Sequence, residues 1–226
     1  LLHTLELSFR HNARLHEHVR FLYSNGSMYK CCNSNLLYHG CIPMTENREF
    51  DGLMVGGKMY RGKELMDFID TQVKNAYFLP EDAPEKEACR DFMWYLWNGA
   101  KSPVFGKDKM TTFEHYFVAD KALQREHMNP YYKLSQKEEV CSFEHYFIED
   151  PEVMRETMNP YYQLSEEEET CDMILKEFGL PTKGSHIING HVPVKTIQGE
   201  QPMKANGKLF VIDGGFSKAY QPETGI

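Results

Sequence analysis

Apolar positions along the chain follow a helical spacing first and short strand-like runs later. Leu15, Val19 and Leu22 recur at helical spacing within the first 25 residues, and Asn25-Gly26 supplies a stop. Ser34-Asn35-Leu36-Leu37-Tyr38 is then a compact apolar run broken by His39-Gly40-Cys41-Ile42-Pro43. It predicts a buried strand that delivers its last residues into a loop. Beyond a polar stretch, Leu65, Ile69, Val73 and Ala76 mark a second helix. A third is expected over about Pro84 to Trp97, with Ala88, Phe92 and Leu96 on one face and Asn98-Gly99 ending it.

The middle of the chain repeats itself. Residues 112–141 and 142–171 align without a gap, so that Phe113/Phe143, Tyr116/Tyr146, Asn129-Pro130-Tyr131-Tyr132/Asn159-Pro160-Tyr161-Tyr162 and Cys141/Cys171 coincide. Two copies are too few for a solenoid, and a local tandem duplication is the simpler reading. Ser165 and Glu168 form a capping-box pattern ahead of a helix through Ile174, Leu175 and Phe178 to Gly179. Ser135 and Glu138 repeat that cap in the first copy. The segment is expected to be helical, peripheral and tolerant of insertion. Its many carboxylates favour packing over base stacking for its aromatics.

Strand character returns at the end. His186-Ile187-Ile188-Asn189 runs into Gly190-His191-Val192-Pro193, and Lys208-Leu209-Phe210-Val211-Ile212 runs into Asp213-Gly214-Gly215. Three segments follow: a core segment over 1–110, a helical insertion over 111–183 and a second core segment over 184–226.

Composition narrows the chemistry. A net charge of −8 argues against a nucleic-acid or anionic-membrane surface. No apolar run approaches the about 20 residues of a membrane span. No basic stretch followed by an apolar one opens the chain, so no secretory signal is visible, and a first residue other than Met fits a segment of something longer. Six scattered cysteines form no CxxC pair, which favours reduced cytoplasmic thiols. A zinc set of Cys31, Cys32, His39 and Cys41 matches no usual ligand spacing.

Two histidines share one grammar. His39 follows a strand and precedes Gly40, and His191 follows a strand and Gly190. An imidazole at a strand end beside a glycine suits a metal ligand. The other reading, an ordinary surface or packed histidine, stands for His16, His18, His115, His127 and His145. Lys195, Lys204 and Lys218 lie near the two late strand ends, where a cation could meet a phosphate or simply be solvated. Tyr220 could bond a sugar or pack. The run Glu166-Glu167-Glu168-Glu169 reads as a solvated helix start aligned with the helix dipole.

Several long runs resemble the class III fructose-1,6-bisphosphatases of Firmicutes-type bacteria. They are Asn33 through Pro43, Asp91-Phe92-Met93-Trp94-Tyr95-Leu96-Trp97, Ser102 through Lys109, Ile187 through Lys195, Lys204 through Lys208 and Val211 through Tyr220. The resemblance covers nearly the whole chain apart from one copy of the repeat. It implies an α+β fold, part of a calcineurin-like two-sheet αββα sandwich with a helical insertion. It also implies a two-ion site at the strand ends, with His39 and His191 as metal ligands and Mn2+ as the working ion. The implied reaction is hydrolysis of the 1-phosphate of fructose 1,6-bisphosphate by a metal-activated water, in gluconeogenesis. The family's GD-x-x-D-R and GNH-D/E segments have no counterpart, and no Gly-Asp dipeptide occurs. The chain therefore reads as an internal fragment, inactive alone and poorly soluble because of exposed apolar strand faces. The other readings are a metallophosphatase for phosphoproteins or dinucleotide polyphosphates, and a non-catalytic helical interaction module.

Overall fold

The computed structural model describes residues 2–107 and 158–213. Helices α1 (Leu2–His11) and α2 (Ala13–Asn25) replace the single N-terminal helix. Asn12 breaks it by taking an extended conformation, from which its side chain accepts the Leu15 N–H. Leu22 is exposed, and α2 is held instead through Tyr23, whose ring stacks on Tyr77 at 4.4 Å.

Strands β1 (Tyr29–Cys32) and β2 (Asn35–Tyr38) make a hairpin. Asn33 and Ser34 turn it with φ of 50° and 61°, the left-handed pair that suits a two-residue hairpin turn. A second hairpin joins β3 (Gly52–Val55) to β4 (Lys58–Arg61) through Gly56-Gly57, again both at positive φ. Helices α3 (Gly62–Phe78) and α4 (Lys86–Asn98) follow. After residue 158 come a single turn, α5 (Tyr161–Leu164), then α6 (Glu168–Glu177), β5 (His186–Asn189), β6 (Met203–Lys204) and β7 (Leu209–Val211).

One sheet has the order β1-β2-β5-β7-β6, with β2, β5 and β7 parallel and the outer pairs antiparallel. Register sets Leu36 beside Ile187 and Ile187 beside Leu209. These three form one buried face with Tyr38, and α5 and α6 cover it through Tyr161, Cys171, Ile174 and Leu175. A second cluster joins Leu53, Leu65, Ile69, Phe92, Tyr95 and Leu96 between β3, α3 and α4. Met66 links α3 to the first cluster.

Three expectations change. Phe92 and Leu96 lie on the buried side of α4 as expected, but Ala88 is exposed and Cys89 and Tyr95 complete that side instead. Ser165 does not cap α6. It is buried, its hydroxyl donates to the Tyr162 carbonyl, and Glu167 is the N-cap. The described part of the insertion carries the helices α5 and α6 but is not peripheral, because Tyr161, Cys171, Ile174 and Leu175 are each fully buried against the sheet. Their apolar side chains out-compete the carboxylates for the sheet face, and Glu166 through Glu169 line the outside. There Lys204 meets Glu166 at 2.6 Å and Arg48 meets Glu167 and Glu169. The first repeat copy, with its Ser135 and Glu138 cap, lies outside the described residues.

The thiols differ sharply in surroundings. Cys31 and Cys32 are exposed on β1, whereas Cys41, Cys89 and Cys171 are buried. Burial pushes the Cys171 thiol up to about 12 and the Cys41 thiol higher still. Because only thiolate reacts, Cys32 and Cys31 are expected to label first with a disulfide reagent at pH 8, and Cys41 and Cys171 only in denaturant. Mass spectrometry of the labelled peptides checks this, and early labelling of Cys171 would contradict the described packing.

The opposite sheet face carries Leu37, Ile188 and Phe210 side by side in register, each only partly buried, with Ile212 exposed beyond them. This apolar strip is expected to drive concentration-dependent association of the isolated chain. Light scattering that stays flat with concentration would count against it. Among the described residues, no helix is long and apolar enough to cross a membrane.

Candidate metal centre

The parallel pairing of β2 with β5 lays their ends side by side, and each end is followed by one of the two singled-out histidines. The Gly190 N–H donates to the His39 carbonyl at 2.8 Å, tying the two loops at their first residues. His39 Nε2 then stands 3.0 Å from His191 Nδ1, with the rings edge to face at 4.9 Å. His191 reaches this position with φ of 70°, a left-handed backbone that a non-glycine residue holds at some cost.

A third segment completes the setting. His191 Nε2 lies 2.9 Å from the Phe105 carbonyl. A carbonyl only accepts, so Nε2 carries the ring proton, and in the neutral ring Nδ1 is left as a bare lone pair facing His39. The Ser102–Gly106 loop that supplies this carbonyl is itself fixed. Ser102 is buried and its Oγ donates to the Leu96 carbonyl at 2.6 Å, while Gly106 N–H returns to the Ser102 carbonyl. Cys41 N–H donates to the Pro103 carbonyl at 3.0 Å, which draws the loop under Gly40. Burial, then the facing His39 ring, lowers the His191 pKa and keeps the imidazole neutral.

This donor set fits a metal ion in two respects. A ligating histidine usually has its other N–H held by a carbonyl or carboxylate, and His191 has that arrangement with Phe105. The two rings also bring one nitrogen each to within 3.0 Å of the other, so that both could be offered to one ion. Two imidazoles are only part of a site. Among the described residues no group of three or more His, Cys, Asp and Glu is placed to hold an ion. The Cys31, Cys32, His39, Cys41 set is not assembled, since Cys41 is buried toward the Ser102 carbonyl and the other two cysteines are exposed on β1.

The remaining candidates are placed differently. Lys204 lines a cavity of about 430 Å³ with Asn189, Gly190 and Val192, but its ammonium is engaged by Glu166. Lys195 lies on an exposed turn, where its backbone N–H donates to Glu200. Asp213 packs with its Cβ side toward Gly190, and its backbone carbonyl accepts the Val194 N–H. Lys218 and Tyr220 lie outside the described residues. Sequence reasoning missed the Phe105 carbonyl altogether. The long Ser102–Lys109 run was its only signal.

A mixed sheet whose parallel central strands end beside paired histidines defines a candidate metal-binding α+β segment. The family model described as Firmicute fructose-1,6-bisphosphatase matches residues 1–142 and again 134–226, so its two matches meet at the junction of the repeat copies. A protein of Bacteroides fragilis named fructose-1,6-bisphosphatase class 3 is 48% identical over all of this chain and 30% of its own length. Namesakes from Bacteroides thetaiotaomicron and Clostridium novyi are 47% and 46% identical over the same shares. The chain belongs to the Firmicute fructose-1,6-bisphosphatase family, and it spans about 30% of the length of the curated relatives it matches. No solved structure matches it.

Proposed function

We propose that this chain is part of the catalytic domain of a cytoplasmic fructose-1,6-bisphosphatase and contributes His39 and His191 to its metal centre. The observation that carries the reading is the 3.0 Å approach of His39 Nε2 to His191 Nδ1, with the far nitrogen of His191 tied to a carbonyl. The fold of the whole is a calcineurin-like two-sheet sandwich. The second apolar face of the sheet, at Leu37, Ile188 and Phe210, supports this because a sandwich buries both faces. The ion is divalent and, by the family resemblance, Mn2+. When bound, such ions polarise the phosphate and lower the pKa of a bound water. The chain's own part is to present two neutral imidazoles that hold the ion without adding charge that repels a phosphate. The Ser102–Gly106 loop keeps the His191 lone pair aimed, and Gly40 lets that loop pass close beneath the strand end.

Phosphate release from fructose 1,6-bisphosphate, measured with and without Mn2+ on the chain extended to its relatives' full length, tests the reading. Manganese-dependent release that exceeds release from phosphoserine peptides and dinucleotide polyphosphates is expected. Preference for either of those substrates would assign a different metallophosphatase, and metal-independent release would remove the centre from the chemistry.

A further inference from the structure

The spacing of two rings on separate loops has to be set by something stiffer than one backbone hydrogen bond. Beneath the pair lies a buried polar chain. Asn189 Nδ2 donates to the Gly40 carbonyl at 3.1 Å and to Tyr161 Oη at 2.8 Å. The Gly40 carbonyl can only accept, which fixes which end of the amide faces it. Tyr161 Oη, having accepted from Asn189, also stands 2.5 Å from Tyr38 Oη, where either hydroxyl can donate. Tyr161, Asn189 and Tyr38 are 0, 3 and 7% exposed. Burial raises the pKa of both phenols, so both keep their protons.

The chain grips the pair from both sides. Tyr38 precedes His39, Gly40 follows it, and Asn189 stands two residues before His191. Tyr161 belongs to neither loop. It arrives on α5, whose start is fixed because Asn159 Oδ1 accepts the Met44 and Tyr161 N–H groups. Buried hydrogen bonds fix direction as well as distance, which apolar contacts do not, although Asn189 Oδ1 finds no partner among the described residues. We propose that Tyr161, acting through Asn189 and Tyr38, is a positioning residue that sets the spacing of His39 and His191. The proposal rests on the reading of that pair as a metal site.

Tyr161→Phe keeps the ring volume and removes only the bridging hydroxyl. The probe is Zn2+ alone, titrated into the chain extended to its relatives' full length while the His39 and His191 cross-peaks are followed in imidazole 1H–15N spectra. Zn2+ binding at the pair is expected to weaken about tenfold in Tyr161→Phe, the scale of a lost ligand-orienting partner. Tyr38→Phe, which spares the Asn189–Tyr161 bond, should lose less. Ile174→Val loosens the same core cluster without touching the polar chain and should bind Zn2+ as the unsubstituted chain does. Unchanged affinity in Tyr161→Phe, or an equal loss in Ile174→Val, overturns the positioning role while leaving the metal site standing. Cross-peaks that ignore Zn2+ in the unsubstituted chain overturn the metal reading itself.

Discussion

Gly40→Ala is expected to lower the melting temperature by about 5–10 °C, from about 2–3 kcal/mol of overpacking. A Cβ at Gly40 would lie 2.4 Å from the Pro103 carbonyl oxygen and 3.3 Å from that of Val104. Both obstacles are backbone, so no side chain can swing aside. Relief requires the Ser102–Gly106 loop to retreat, which breaks the Cys41 to Pro103 hydrogen bond. The same retreat carries the Phe105 carbonyl away from His191. The variant should therefore lose stability and ring alignment together, read by circular dichroism melting and by the His191 15N shifts. An unchanged melt would show that the loop yields without cost and that the close approach is not structural.

The second large effect is on rate. In the full-length protein, His39→Ala and His191→Ala should each reduce fructose 1,6-bisphosphate hydrolysis about a thousandfold, because losing a ligand forfeits several kcal/mol of charge stabilisation at phosphorus. Both rings are peripheral to the apolar clusters, His39 being exposed. The melting temperature should accordingly move far less than the rate, and His191→Ala leaves the strain at its φ of 70° in place, because alanine also carries a Cβ. Steady-state kinetics beside a thermal melt separates the two. A variant with full activity would exclude that residue from the centre.

How much of this was written in the sequence depends on which groups do the work. The His39 and His191 loops stood out because side chains, flanking glycines and apolar strand runs all mark them. β2, β5 and β7 were legible for the same reason. β1, β3, β4 and β6 were not read, although Gly56-Gly57 between Val55 and Lys58 is a hairpin signal of the usual kind. β1, β4 and β6 carry mostly exposed or part-exposed residues, and β3 buries only its first half, so they lack the apolar density that flagged the central strands. The acid-rich stretch ahead of α6 concealed its role, since Glu166 through Glu169 suggest surface while Tyr161, Cys171, Ile174 and Leu175 cover the sheet. The Ser102–Lys109 run marked the loop but not the Phe105 carbonyl within it, because a backbone acceptor exists at every residue and only the fold selects one.

The two rings lie far apart along the chain. His39 and His191 are 152 residues apart, and the bonds that assemble their setting join an early segment to a late one: Gly40 to Asn189, His39 to Gly190, Phe105 to His191, Tyr38 to Tyr161. Local folding, such as the two hairpins or the pairing of α3 with α4, brings none of these together. The ring pair comes into existence only when β5 docks on β2, a non-local event that belongs among the slow steps of folding. The paired imidazoles are thus a reporter of global closure. A nascent or partly unfolded chain presents two isolated histidines, and the site appears as a unit with the native state.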